Sequence, residues 1–218
     1  MSDLNQLLLK LDHKTNFNEH DFYISKSNIN AFNFINKWPN WEKKILNISG
    51  EKFSGKSHLA NIFRSKSKAF YINARSIDDS IFKSLKLYES IIIDDFEKCN
   101  NEKILYSIFN LIDHDSKYML INSLKPINKI EFNLPDLISR VKNCLYTEIE
   151  NPDDELLFAI ILKNFSDRQI KIEKKIIDFI IARIDRSYRK IDEFIYKIDE
   201  LSLKKKKPIN FKTIKEIL

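Results

Sequence analysis

The chain has 218 residues, 43 % of them hydrophobic and 31 % charged, with a net charge of +6, which suits one ordinary core with a smaller appended domain. No apolar run approaches the roughly 20 residues a bilayer span needs, and the N-terminus lacks a basic-then-apolar leader, so neither a membrane protein nor a secreted one is expected and the cytoplasm is the default compartment. Cys99 and Cys144 are too few for a disulfide framework and have no partners at metal-ligand spacing, while the basic balance permits nucleic-acid association without demanding it.

In chain order, the first feature is a crowd of leucines, Leu4, Leu7, Leu8, Leu9 and Leu11, at a chain end. Such a stretch packs on the protein's own core, begins an amphipathic helix, or fills a groove on a partner. Lys44-Ile45-Leu46-Asn47-Ile48-Ser49 then reads as a short buried strand, and residues 58–64 as a helix. Between them lies Gly50-Glu51-Lys52-Phe53-Ser54-Gly55-Lys56-Ser57, which holds the only two glycines of the chain. Average usage of about 7 % would supply about 15. A sequence that dispenses with glycine elsewhere keeps it where backbone must approach a phosphate closely, and the spacing completes the P-loop pattern, G-x-x-x-x-G-K-[ST]. Turn amides can wrap a β-phosphate, Lys56 can neutralise β/γ oxygens, the Ser57 hydroxyl can ligate Mg²⁺, and the following helix adds its positive dipole end.

Residues 45–49, 69–73, 90–94, 118–122 and 145–149 read as five strands alternating with helix-period segments, the pattern of a mostly parallel α/β sheet. Between Asn73 and Ser90 there is room for one helix of roughly 10 residues at 1.5 Å rise each. The clearest helix is 101–114, where Ile104, Leu105, Ile108, Phe109, Leu111 and Ile112 make one apolar face. The strand Ser90-Ile91-Ile92-Ile93-Asp94-Asp95 ends in two carboxylates, which can place one acid near Mg²⁺ and the next near an attacking water, or serve as ordinary turn residues. Arg140 precedes the fifth strand, where it either reaches a neighbouring molecule's γ-phosphate or pairs on its own surface.

After Glu150 only helices are expected. Asn151-Pro152-Asp153-Asp154-Glu155 combines a cap residue, proline at the first helical position and acids at the positive dipole end. Further helices should occupy 173–184, 187–203 and 211 to the terminus, with Pro208 and the lysine run 204–207, a solvated loop or a DNA contact, between the last two. The expected division is a tail over 1–16, an α/β core over 17–150 and a helical domain over 151–218. Arg189 in that domain either folds back on a nucleotide or stays solvated.

Phe22-Tyr23-Ile24-Ser25-Lys26-Ser27-Asn28, the P-loop continuing as Lys56-Ser57-His58-Leu59-Ala60, the Ile-Ile-Ile-Asp-Asp strand, Leu134-Pro135-Asp136-Leu137-Ile138-Ser139-Arg140 and Arg186-Ser187-Tyr188-Arg189 stand in the order seen in the AAA+ module of the bacterial replication initiator DnaA. The chain resembles that module over about residues 17 to 203. The resemblance implies an α/β AAA+ P-loop core with a five-stranded parallel sheet, followed by a small all-α lid, and an adenine nucleotide, ADP or ATP, with Mg²⁺. It implies that Ile24 and Asn28 line the adenine pocket, that Gly50, Ser54, Gly55, Lys56, Ser57 and His58 hold the phosphates, and that Ser57 and Asp94 hold the magnesium. Asp94 and Asp95 become the Walker-B acids, Arg140 an arginine finger acting in trans, and Arg189 the sensor-2 arginine. Sensor 1 should fall in Asn122-Ser123-Leu124, where the family commonly places an acid at the position of Leu124, and Phe53 replaces a usual third P-loop glycine. Both departures bear on hydrolysis more than on binding.

Initiators add a C-terminal helix-turn-helix domain and a further helix after the second strand for handling single-stranded DNA. This sequence stops at Leu218 and has neither, so a regulator is expected rather than an initiator. Gln6-Leu7-Leu8-Leu9-Lys10-Leu11 is similar to the peptide by which the DnaA-related Hda regulators dock on the DNA polymerase sliding clamp, with Gln6 at the pocket rim and Leu7, Leu9 and Leu11 in the apolar groove. Burying two or three leucines contributes about 1.5 to 3 kcal/mol each before ordering costs, so the tail alone should bind on the order of micromolar. The resemblance to the Hda family implies promotion of hydrolysis of DnaA-bound ATP at the DNA-loaded clamp, which prevents re-initiation. Its partners would be DnaA and the clamp, with DNA reached mainly through the clamp, no membrane, and self-association left open. The alternative is a self-contained AAA+ ATPase of the helicase-loader type.

Overall fold

Three consecutive isoleucines locate the centre of the molecule. Parallel strands covered on both faces read as unbroken apolar runs, and Ile91 and Ile93 pack into one apolar cluster while Ile92 packs into another on the opposite face. The computed structural model describes residues 22–168, 172–205 and 211–215. Gln6, Leu7, Leu9, Leu11 and the end of the lysine run lie outside the described residues.

The strands are β1 (Ile45–Gly50), β2 (Phe70–Asn73), β3 (Ser90–Asp94), β4 (Tyr118–Ser123) and β5 (Leu145–Ile149), in the order β2-β3-β4-β1-β5 with every pairing parallel. All five expected strands are present with limits shifted by no more than one residue. Asn47, fully buried in β1, is accepted because its amide is satisfied three times. It donates to the Ile121 carbonyl at 3.1 Å and Ser123 Oγ at 2.9 Å, and it accepts from the Ile127 amide at 3.0 Å.

Helices α1 (Ile29–Lys37) and α2 (Lys56–Ser67) cover one face, through Ala31, Ile35, Leu59 and Phe63. Helices α3 (Ile81–Lys86), α4 (Glu102–His114) and α5 (Pro135–Lys142) cover the other, through Leu85, Ile108 and Leu137. Asn101 caps α4, accepting from the Ile104 amide at 3.2 Å. The segment between Asn73 and Ser90 holds a shorter helix than its length allows. A 3₁₀ turn at Ala74–Ser76 and a turn in which Asp78 accepts from the Ser80 amide at 2.9 Å use up its first half.

The remaining helices are α6 (Asp154–Asp167), α7 (Lys174–Ile181), α8 (Tyr188–Lys205) and α9 (Phe211–Lys215). Pro152 is not the first helical residue. Asp153 is the N-cap, accepting from the Leu156 amide at 2.8 Å, so α6 begins at Asp154, two residues later than Pro152 would set it. Leu157, Ile161, Ile177, Ile191 and Ile198 gather these helices into their own cluster. Leu156 and Tyr188 belong instead to the α1/α2 cluster and join the helical part to the sheet. No helix among the described residues is long and apolar enough to cross a membrane.

Candidate nucleotide-binding site

The turn between β1 and α2 explains where the chain spends its glycines. A Cβ on Gly50 would lie 2.9 Å from Ser54 Oγ and 3.1 Å from the Ile149 carbonyl oxygen. Gly55 sits at φ 93°, in the left-handed region, with Phe22 3.2 Å from where its Cβ would be. Phe53, standing where the resemblance expects a third glycine, is itself left-handed at φ 69°. Lys56 Nζ donates to the carbonyl oxygens of Gly50 and Glu51, both at 2.8 Å. Burial pushes the Lys56 ammonium below its ordinary pKa, and Asp94, Glu97, Asp95 and Glu51 push it back up.

Asp94, at the end of β3, is the hub. Its Oδ2 accepts from Ser57 Oγ at 3.1 Å and from the Tyr71 hydroxyl, and its Oδ1 accepts from Asn122 Nδ2 at 3.2 Å and the Asp95 amide at 3.1 Å. Asp95 turns through φ 54°, and its carboxylate accepts from Asn73 Nδ2 at 3.1 Å. Tyr71 and Asn73 were not singled out from sequence, and Asn122 was only one of three candidates for sensor 1. The signal that finds them is the parallel register, which sets Asn73 of β2 beside Asp94 and brings β4 along the other side of β3. Burial and Asp94 raise the Tyr71 phenol pKa well above its usual value, so the hydroxyl stays a donor.

A cavity of about 530 Å³ opens here, lined on one side by Lys52, Phe53, Ser54, Gly55, Lys56, Ser57 and His58, with Asp94, Asp95 and Leu124 beside them. Its other wall is helical: Ile160 and Asn164 of α6, and Tyr188, Ile191, Asp192 and Ile195 of α8. The carboxyl of Asp192 is held above its usual pKa by burial, against the pull of Lys52 and Arg168.

The structure thus brings together Gly50, Ser54, Gly55, Lys56, Ser57, His58, Asp94 and Asp95. It places the other expected residues elsewhere. Ile24 is exposed, and Asn28, buried, spends its side chain on its own segment, accepting from the Ser25 amide and donating to the Tyr23 carbonyl, both at 2.9 Å. Arg189 is not in the cavity wall and lies 3.6 Å from Glu193 on the same helix. Arg140 pairs with Asp113 across α5 and α4.

A phosphate chain fits this cradle: two positions refuse a Cβ, and one buried hydroxyl, Ser54 Oγ, has no hydrogen-bond partner and can donate to a phosphate oxygen. The Ser57 hydroxyl and Asp94 carboxylate are hard oxygen donors side by side, suited to Mg²⁺, which takes one or two protein ligands and completes its shell with phosphate and water. Among the described residues no cluster of three or more His, Cys, Asp or Glu could hold a metal by itself. With a nucleotide bound, Lys56 and the metal would spread charge over its phosphates and Asp95 would be the remaining carboxylate near the reacting end.

No family model matches the chain. Over 211 residues it is 25 % identical to the chromosomal replication initiator protein DnaA of Borreliella afzelii, an alignment that covers 85 % of this chain and 44 % of that protein. The chain therefore spans less than half the length of this curated relative. Domain III of DnaA from Thermotoga maritima matches with a TM-score of 0.75 at 20 % identity, covering 93 % of this chain and 95 % of that one. AMPPCP-bound DnaA from Aquifex aeolicus matches with a TM-score of 0.67 at 21 % identity, covering 89 % and 68 %. The fold is the α/β AAA+ fold of DnaA domain III. The sequence is similar to DnaA over most of its length.

Proposed function

We propose that this protein is a DnaA-related AAA+ regulator that holds ADP or ATP with Mg²⁺ between its P-loop and α8, and promotes hydrolysis of ATP bound to DnaA. Gln6, Leu7, Leu9 and Leu11 dock it on the DNA-loaded sliding clamp in the cytoplasm, and the outcome is prevention of re-initiation. The observation that carries this reading is Arg140. Its guanidinium stands outside the protein's own cavity, 40 % exposed and steadied by Asp113, where it can enter a partner's site rather than its own. Adenine nucleotide is supported by the cradle around Lys56 and by the fold likeness to an AMPPCP-bound DnaA.

The test is hydrolysis of DnaA-bound ATP with and without this protein, clamp and duplex DNA. Stimulation should require all three, and Arg140→Ala should remove the arginine-finger contribution, about 10³-fold or more, while clamp docking persists. Gln6→Ala with Leu7→Ala should do the reverse. Normal stimulation by Arg140→Ala would reject the mechanism.

A second reading, a self-contained ATPase acting on another replication protein, is favoured by a separate open cleft of about 720 Å³ carrying Arg75, Lys98 and Lys103, whose side chains meet no carboxylate among the described residues. It requires substantial hydrolysis by this protein alone, enhanced by single-stranded DNA.

A further inference from the structure

Glu51 is the first residue of the turn after Gly50, and its backbone and side chain serve different elements. Its carbonyl oxygen accepts from Lys56 Nζ at 2.8 Å. Its carboxylate reaches a helix 136 residues away, where Oε1 accepts from Ser187 Oγ at 2.7 Å and Oε2 accepts from the Tyr188 amide at 2.8 Å. Tyr188 opens α8, so its amide is one of the four that a helix leaves without an internal partner, and a carboxylate there also faces the positive end of the helix dipole. Ser187 Oγ meanwhile accepts from the Lys190 amide at 3.3 Å. Contrast α6, which caps itself with Asp153. Helix α8 takes its carboxylate from the phosphate loop.

The P-loop pattern places no demand on the residue after its first glycine, so the acid at position 51 answers to the helix. A further tie reinforces it: the Tyr188 hydroxyl donates to the Glu150 carbonyl at 3.1 Å, and the ring is buried in the α1/α2 cluster. From that anchored first turn, α8 presents Ile191, Asp192 and Ile195 to the cavity whose opposite wall is the loop itself.

We propose that Glu51 is a positioning residue whose carboxylate fixes α8 over the phosphate loop, and so sets how long a nucleotide is retained. This rests on the nucleotide-binding reading above for its ligand, but not for the latch. Glu51 bonds to no part of a phosphate cradle through its side chain. Its removal loosens one wall and leaves the Lys56, Ser57 and backbone contacts of the other in place.

The experiment uses the full chain and a fluorescent N-methylanthraniloyl-ADP, with association and dissociation followed by stopped flow in wild type, Glu51→Ala, Glu51→Gln, Ser187→Ala and the Glu51→Ala/Ser187→Ala double variant. Glu51→Ala should dissociate about tenfold faster, the size of effect expected for losing a charged helix cap, with association changed less than about twofold. Glu51→Gln should fall between, because one oxygen still accepts. The double variant should exceed Glu51→Ala by less than the full effect of Ser187→Ala alone, since the Glu51–Ser187 bond is already lost and only the Ser187 cap on the Lys190 amide goes in addition. Wild-type dissociation from Glu51→Ala, or full additivity with Ser187→Ala, overturns the proposal. If wild type binds no nucleotide, the proposed function fails, and the latch is judged by hydrogen exchange at the Tyr188 amide. Exchange about tenfold faster in Glu51→Ala upholds the latch, and unchanged exchange overturns it.

Discussion

Ser57 Oγ donates to Asp94 Oδ2 at 3.1 Å across 37 residues of sequence. Strand order makes this contact: β1 and β3 flank β4 and end on the same edge, so the first turn of α2 and the end of β3 open on one crevice. If that pair holds Mg²⁺, wild-type affinity for ADP should rise when magnesium is added. Ser57→Ala and Asp94→Asn should each lose that rise, about tenfold or more, while affinity measured in EDTA changes by less than about twofold. Calorimetric titration in both conditions decides it, and an undiminished magnesium effect in both variants would remove the pair from the metal site.

Two of the four donors on Asp94 come from neighbouring strands, the Tyr71 hydroxyl from β2 and Asn122 Nδ2 from β4. A hydrogen bond to a charged acceptor contributes about 1.5 to 3 kcal/mol, so Tyr71→Phe should lower unfolding free energy by roughly that amount in urea titrations. The same substitution removes one of the two donors that orient Asp94 Oδ2, and magnesium-dependent affinity should fall about tenfold with it. Asn122→Ala should cost a similar amount. A Tyr71→Phe protein as stable as wild type would mean that this hydroxyl bond contributes nothing net.

Some of this was legible in the sequence and some could not be. The isoleucine runs of β3 and the glycine pair at Gly50 and Gly55 announce themselves because each satisfies a local demand, two-faced burial or close backbone approach. The start of α6 was misplaced because Asn151-Pro152-Asp153 offers two caps in succession, and only the reach of the Asp153 carboxylate to the Leu156 amide chooses between them. Helix α1 went unassigned: it has no acid in its first turn and no side-chain cap bond, since Asn28 turns back to Ser25 and Tyr23. Tyr71, Asn122 and Glu51 earn their places through strand order and long-range contact, which residue spacing does not encode.

Phe53 departs from the P-loop pattern, and its φ of 69° says what the departure costs. A left-handed non-glycine residue carries about 1 to 2 kcal/mol of strain. Lys52 over its ring, at 4.8 Å, offsets about 0.5 kcal/mol of that. Glycine relieves the strain at an entropic cost of about 0.4 to 1 kcal/mol in the unfolded chain, whereas alanine keeps the strain and loses the ring. Phe53→Gly should therefore be more stable than Phe53→Ala by about 1 kcal/mol in chemical denaturation, with nucleotide affinity at least that of wild type. Equal stability of the two variants would show that the turn relaxes out of the left-handed region.

Lys56 gives the pH dependence its sign. Burial lowers its pKa below 10.5, the value it keeps in the unfolded chain, so between the two values the unfolded chain binds the extra proton. Stability must then rise with pH through that interval, and Lys56→Met should abolish this part of the slope. Urea midpoints of wild type and Lys56→Met, compared as pH rises towards 10.5, should shift in favour of wild type. Nucleotide affinity should run the other way, because a neutral amine no longer counters phosphate charge: wild type should weaken over the same interval while the residual affinity of Lys56→Met stays flat. The opposed slopes separate a buried lysine that grips phosphate from one that merely holds the Gly50 and Glu51 carbonyls, for which stability and affinity would change together.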